Sequence, residues 1–127
     1  MRGIIKVVHF WVVMDSGFSV QLRHLIAEAE GSIIYSLGHV LHEEITIKGG
    51  HVHQSNFIDY EPLRIEETPE ITVEVISSEN PPIGGGEGAG PVAAASVGNA
   101  FLATTGVRLR DLPMSPNRVK AALQGRS

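Results

Sequence analysis

The sequence predicts an α+β fold, with a single domain over residues 1–127 built as a two-layer sandwich. We expect about four mainly antiparallel strands, with a long helix and a second Gly/Ala-rich helix covering one face of the sheet. Three observations predict this fold. They are a β-branched apolar run near the N-terminus, a long helical stripe of apolar residues after it, and an alternating segment interrupted by two glycines.

The first strand and the long helix follow from residue type and spacing. Residues 4–14 are rich in Val, Ile, Phe and Trp, which is typical of a buried strand. The Asp15-Ser16-Gly17 segment then predicts a turn. Over residues 19–42, apolar residues recur at helical spacing. Gly31 and Gly38 lie on one side of this helix, so we expect another element to pack very close to both.

The remaining elements are marked by glycines and prolines. Residues 45–54 alternate on both sides of Gly49 and Gly50, which predicts a hairpin with a two-residue turn. Residues 71–76 alternate again and predict a fourth strand. A helix of small residues is predicted over 91–105, ended by Gly106, and a short terminal helix over 116–123.

Composition excludes several classes of function. Hydrophobic residues make up 43% and charged residues 19%, as expected for a globular chain rather than a disordered one. The net charge of −4, without a basic cluster, argues against a nucleic-acid partner. The absence of cysteine rules out disulfides and a Cys nucleophile. No apolar stretch reaches the length of a membrane helix, and we expect a cytoplasmic protein with no membrane partner.

Residues 84–91, the glycine loop, place Glu87 alone among five glycines before a predicted helix. Such glycine density lets a ligand approach the backbone closely, so Glu87 could be a catalytic base. It could equally be a solvated acid in a flexible connector. Two histidine pairs, His39 with His42 and His51 with His53, have spacings that suit a metal. Each pair lacks further ligands, and we predict no metal site.

The chain has four motifs in a fixed order: Asp15-Ser16-Gly17, then Glu28-Ala29-Glu30-Gly31, then residues 44–48 with 54–60, and finally residues 86–88 with 99–106 and 110–113. They resemble the Asp-Cys-Gly turn, the Gln-x-Glu-Gly helix, the hairpin with its Asn-Phe loop, and the Gly-Glu-Pro loop with its closing helix in a known family. That family is the xanthine oxidase and aldehyde oxidoreductase family. The likeness is to the C-terminal part of its molybdenum-cofactor-binding large subunit, and within it to the branch that contains the β subunits of isoquinoline 1-oxidoreductases.

The resemblance implies roles for two carboxylates. The glutamate of the family's Gly-Glu-Pro loop is the base that removes a proton during hydroxylation of an aldehyde or N-heterocycle, and by position it is Glu87. The glutamine of Gln-x-Glu-Gly donates a hydrogen bond to the cofactor, and by position it is Glu28. The cofactor-binding residues implied in this way are Glu28, Gly31, Gly85, Gly86 and Gly88.

Two departures from the family bear on activity. An ionised carboxylate at Glu28 cannot donate the hydrogen bond that the family's glutamine donates. The family segments that grip the cofactor precede the matched region, and we expect them to be absent. We therefore expect no cofactor on this chain alone, and a molybdenum pyranopterin only together with a partner subunit.

Three functions are consistent with these observations. The first is a stand-alone hydroxylase fragment that is not catalytic by itself and forms a homodimer through exposed apolar surface. The second is a split subunit that completes a molybdenum hydroxylase active site in trans. The third is a small-molecule or anion-binding module that uses the glycine loop.

Overall fold

A computed structural model describes residues 3–125, so residues 1, 2, 126 and 127 of the predicted domain lie outside the described residues. The chain forms four strands, three α-helices and one 3-10 turn. In order they are β1 (His9–Met14), α1 (Leu22–Leu41), β2 (Ile47–Lys48), β3 (His51–Val52), the 3-10 turn (Ile65–Glu67), β4 (Glu70–Val75), α2 (Val92–Thr105) and α3 (Pro116–Gln124).

The longer strand pair is parallel. β1 pairs with β4 from His9 opposite Glu70 to Met14 opposite Val75. β2 pairs with β3 antiparallel in a second, separate sheet. The expectation of one mainly antiparallel sheet was therefore wrong. The physical reason is that parallel strands need a long crossover connection, and α1 lies within the connection between β1 and β4.

Alternation along β1 and β4 separates a core face from an outer face. On β1, Phe10 is buried and Val12 half-buried, whereas Trp11 and Val13 are exposed. The core face packs against helix residues that include Ile33 and Leu37, the largest fully buried side chains. Strand and helix periodicities thus meet in one apolar core, as the sequence pattern predicted.

The hairpin and the end of α2 confirm two local predictions. Gly49 and Gly50 have φ values of 58° and 80°, the left-handed region that a two-residue hairpin turn requires. Gly106 ends α2 with a φ of 71°, and its N–H donates to the Leu102 carbonyl at 2.7 Å. Both predictions depend only on local backbone geometry, which is why the sequence pattern was sufficient.

The two glycines of α1 differ. The prediction of a close neighbour was wrong for Gly31, because a Cβ built there would meet no atom within 4 Å. At Gly38 a Cβ would overlap the Glu43 carboxylate, and the backbone nitrogen of Leu63 lies 3.6 Å away. The prediction is confirmed there, although the closest neighbour is a side chain that folds back from the helix end.

The Glu43 carboxylate is the centre of a small polar cluster at the C-terminal end of α1. It accepts a hydrogen bond from the Tyr60 hydroxyl, and His39 Nε2 lies 3.3 Å from Glu43 Oε2. The hydrogen bond to Glu43, with a smaller effect of burial, raises the pKa of Tyr60 to about 12. This cluster ties the chain after β3 to α1.

We expect Gly38→Ala to be less stable than Gly31→Ala by about 1–3 kcal/mol, because the new methyl group would displace a buried, hydrogen-bonded carboxylate. Gly31→Ala is the matched control, and it should gain up to about 1 kcal/mol from helix propensity. Urea unfolding of both variants measures the difference. Equal stability of the two would contradict the packing described at Gly38.

Stability should fall as pH rises from about 10 to 12, because the unfolded chain releases the Tyr60 proton near its ordinary pKa while the folded chain retains it. The Tyr60 contribution is fully present below the unfolded pKa and is lost as pH rises through the folded pKa. Unfolding of Tyr60→Phe across this window should lack this component. Tyr35→Phe serves as the control that retains it.

Candidate functional site

The turn after β1 is fixed by its own backbone. Gly17 has a φ of 74°, and its N–H donates to the Asp15 carboxylate at 2.9 Å. Ser16 between them is buried. Because the turn occupies the left-handed region, a side chain at Gly17 would be strained.

The segment that follows β4 lies against this turn. The Phe18 N–H donates to the Asn80 carbonyl at 2.9 Å, and the Ile83 N–H donates to the Ser16 carbonyl at 3.0 Å. A Cβ at Gly17 would overlap the Pro81 carbonyl. The chain segments leaving the carboxyl ends of both parallel strands therefore meet at one edge, which is where ligands bind in open α/β sheets.

The glycine loop continues from this contact onto one face of α1. A Cβ at Gly85 would overlap the Leu25 side chain, and one at Gly86 would lie 3.0 Å from Glu28 Oε2. A Cβ at Gly90 would lie 2.8 Å from Ser32 Oγ and 2.6 Å from Ser36 Oγ. The four α1 residues are three or four positions apart and form one stripe. Glycine is needed because the loop backbone lies directly on this stripe.

Glu28 and the Glu87 loop are brought together by this packing, although they are far apart in the sequence. Both carboxylates are exposed. The Glu87 carbonyl accepts the Gly90 N–H at 3.1 Å, which leads the chain into α2. Gly84 and Gly88 face open space. Gly31, also predicted to bind cofactor, lies one turn beyond Glu28 and makes none of these contacts.

Proton transfer is the chemistry that these residues can perform. An exposed carboxylate beside open space, as at Glu87, can accept a proton from a bound group. The contacts of the loop glycines on α1 are to leucine, glutamate and serine side chains. A pyranopterin, which carries a phosphate, therefore finds a proton acceptor here but no cationic side chain among these contacts. The described residues fit the reactive end of such a cofactor and not its anionic end.

The serines under the loop were missed by sequence reasoning. Ser32 and Ser36 continue the stripe of Glu28 at intervals of four residues, and this spacing was the available signal. A polar stripe at that interval, on the same helix as an apolar stripe, indicates a second contact surface. The structure shows that the glycine loop covers it.

The histidine pairs do not converge on a metal site. His39 pairs with Glu43, and His42 Nε2 lies 3.1 Å from Glu67 Oε1. Within residues 3–125 no group of three or more His, Cys, Asp or Glu side chains is placed to hold a metal ion. In the same part of the chain, none of the helices is sufficiently long and apolar to cross a membrane.

Comparison with protein families matches residues 1–69 to the molybdopterin cofactor-binding domain. The membrane-bound aldehyde dehydrogenase (pyrroloquinoline-quinone) of Gluconacetobacter polyoxogenes is 34% identical over 96% of this chain. The nicotinate dehydrogenase of Pseudomonas putida, through one of its subunits, is 32% identical over 97%. The beta subunit of isoquinoline 1-oxidoreductase from Brevundimonas diminuta is 33% identical over 91%. These matches confirm the predicted resemblance to the xanthine oxidase family.

Solved structures share the fold. Quinoline 2-oxidoreductase from Pseudomonas putida 86 superposes with a TM-score of 0.80 at 25% identity, covering 92% of this chain and 16% of that one. The Cu,Mo-CO dehydrogenase superposes with a TM-score of 0.80 at 18% identity, covering 98% of this chain and 17% of that one. The curated relatives are also much longer, since this chain spans 16%, 10% and 15% of their respective lengths.

We expect Gly90→Ala to destabilise the loop by about 1–3 kcal/mol, because the methyl group would displace two serine hydroxyls of α1. Gly88→Ala is the matched control, since its methyl group would enter open space. Amide hydrogen exchange over residues 84–90, together with urea unfolding, measures both effects. Equal exchange in the two variants would mean that the loop does not lie on α1 in solution.

Proposed function

The chain belongs to the molybdopterin cofactor-binding domain family, and from that premise we propose that it forms one wall of a molybdenum hydroxylase active site. In this proposal residues 1–127 act as a single domain that is not catalytic by itself. The other walls come from polypeptide outside the described residues. The observation that carries the proposal is the convergence of Glu28 and the Glu87 loop at the carboxyl ends of the parallel strands.

Glu87 is the proton acceptor of the proposed site. Its carboxylate is exposed, and the neighbouring Gly88 leaves open space in which a substrate and cofactor could approach. When bound, the molybdenum group would supply the oxygen-transfer chemistry. The part of Glu87 is to hold a proton at a carboxylate oxygen, and the seating of the loop on α1 directs that carboxylate.

Glu28, Gly85 and Gly86 shape the wall beside the acceptor. The two glycines let the loop lie against Leu25 and Glu28, so the loop backbone remains accessible on its outer side. Gly88 contributes open space, and Gly31 is assigned to the same cofactor surface only through the family resemblance. Because Glu28 is an acid, the anionic end of the cofactor must be held by cationic or N–H donors of another segment.

The source of the other walls is a partner polypeptide that corresponds to the rest of a hydroxylase large subunit. Relatives named as subunits, such as the beta subunit of isoquinoline 1-oxidoreductase, support this choice. A homodimer is the competing use of the exposed apolar side chains, which include Phe57, Ile58 and Ile65 at 78%, 87% and 90% exposure. The contacts of the glycine loop include no cationic side chain, so they give no specific support to an anion-binding module.

Co-expression with the remaining segments of an isoquinoline 1-oxidoreductase-type large subunit tests the proposal. We expect a complex that contains molybdenum and hydroxylates an N-heterocycle, whereas the chain alone contains none and is inactive. Elemental analysis and a substrate assay measure the two properties. A complex without molybdenum, or a chain that is active alone, would contradict the proposal.

Glu87→Gln in that complex should lower the rate by about 100-fold or more, because the amide cannot accept the proton. Molybdenum content should remain unchanged, since the loop keeps its seat on α1. Glu79→Gln, an exposed acid earlier in the same connection, is the control and should retain full activity. A full rate in Glu87→Gln would remove Glu87 from the mechanism.

A further inference from the structure

We propose that the free edge of residues 3–11 seats an extended, apolar polypeptide strand that carries a carboxylate. In this proposal the strand belongs to the partner polypeptide, so the inference rests on the proposed function. It names the surface by which the partner is held and the chemistry that the surface selects. The surface is called the edge groove below.

The edge groove begins with an unpaired strand edge. β1 is hydrogen-bonded to β4 on one side, and no other strand within residues 3–125 joins that sheet. Before β1, the chain is tied to β4 where the Val8 carbonyl accepts the Glu70 N–H at 3.1 Å. A row of free N–H and C=O groups of this kind is a template for adding a strand.

An apolar floor lies beside this edge. A groove of about 850 Å³ runs between residues 3–11 and helices α2 and α3. Val97, Phe101 and Val119 contribute to its lining, and each belongs to the buried core. An added strand could therefore pair with the backbone edge while its side chains cover the outer surface of the core.

Charge selects between possible occupants. The lining includes Lys6 and His9 but no Asp or Glu. Lys6 makes no salt bridge within the described residues, whereas His9 Nδ1 lies 3.6 Å from Glu70 Oε2. A lysine on a free edge discourages pairing between identical edges, because two copies would bring like charges together. A strand with a carboxylate opposite Lys6 satisfies the same groove.

The length of the relatives supplies a source for the strand. The superposed part of quinoline 2-oxidoreductase is 16% of that chain, and the superposed part of the Cu,Mo-CO dehydrogenase is 17%. This fold therefore occurs within much more polypeptide, which makes a strand from the same kind of subunit the occupant we favour over a second copy.

Trp11 provides a built-in probe of the edge groove. It is the only tryptophan of the chain, it lines the groove and it is 69% exposed. The purified protein is titrated with a short capped peptide of alternating Val and Thr with a central Glu, and with the same peptide carrying Lys. We expect a blue shift of Trp11 emission and slower amide exchange over residues 4–8. The Glu peptide should bind about fivefold more tightly at low salt.

Charge reversal sharpens the test. Lys6→Glu should reverse the preference, so that the Lys peptide binds more tightly, and about 1 M salt should remove the difference. Lys48→Glu makes the same charge change in β2, outside the groove lining, and should keep the original preference. Circular dichroism checks that both variants fold.

Three results would overturn the inference. They are no response of Trp11 emission or exchange to either peptide, equal binding of the two peptides, and protection of residues 4–8 that rises with protein concentration alone. The last result would assign the groove to a second copy. The measurement uses no molybdenum and no co-expressed subunit, so its failure is separate from a failure of the proposed active-site role.

Discussion

The parallel pairing of β1 with β4 is the constraint on which the rest of the structure depends. Because both strands run in the same direction, the segments that leave them emerge at one edge of the sheet. The turn at Gly17 and the glycine loop can then touch, and α1, which lies within the crossover connection, lies beneath the loop. An antiparallel arrangement would separate these two segments. The candidate site is thus a consequence of strand direction, and no single residue creates it.

Local features of the fold were predictable, and long-range features were not. Gly49, Gly50 and Gly106 were correctly placed because each occupies a backbone region that few other residues tolerate. The direction of the β1–β4 pair was missed because alternation is the same in parallel and antiparallel strands. Gly31 was misjudged because an open surface and a close contact can produce the same glycine in a sequence.

The candidate site shows the same division. Residue type identified Glu87 as an isolated acid, and only the family resemblance paired it with Glu28. Periodicity cannot report that a loop some sixty positions later lies on a particular stripe of α1. The contact of Gly86 with Glu28 therefore required the folded chain, as did the role of Ser32 and Ser36 as the seat of the loop.

The contact between the Gly17 turn and the segment after β4 has a consequence for sequence divergence. The atoms that hold it together belong to the main chain: two N–H donors, two carbonyl acceptors and the close approach of the Pro81 carbonyl to Gly17. Side chains over residues 79–83 are exposed and contribute little to this tie. The segment can therefore accept substitutions freely during evolution or library design, whereas Gly17 is the position where variation is restricted.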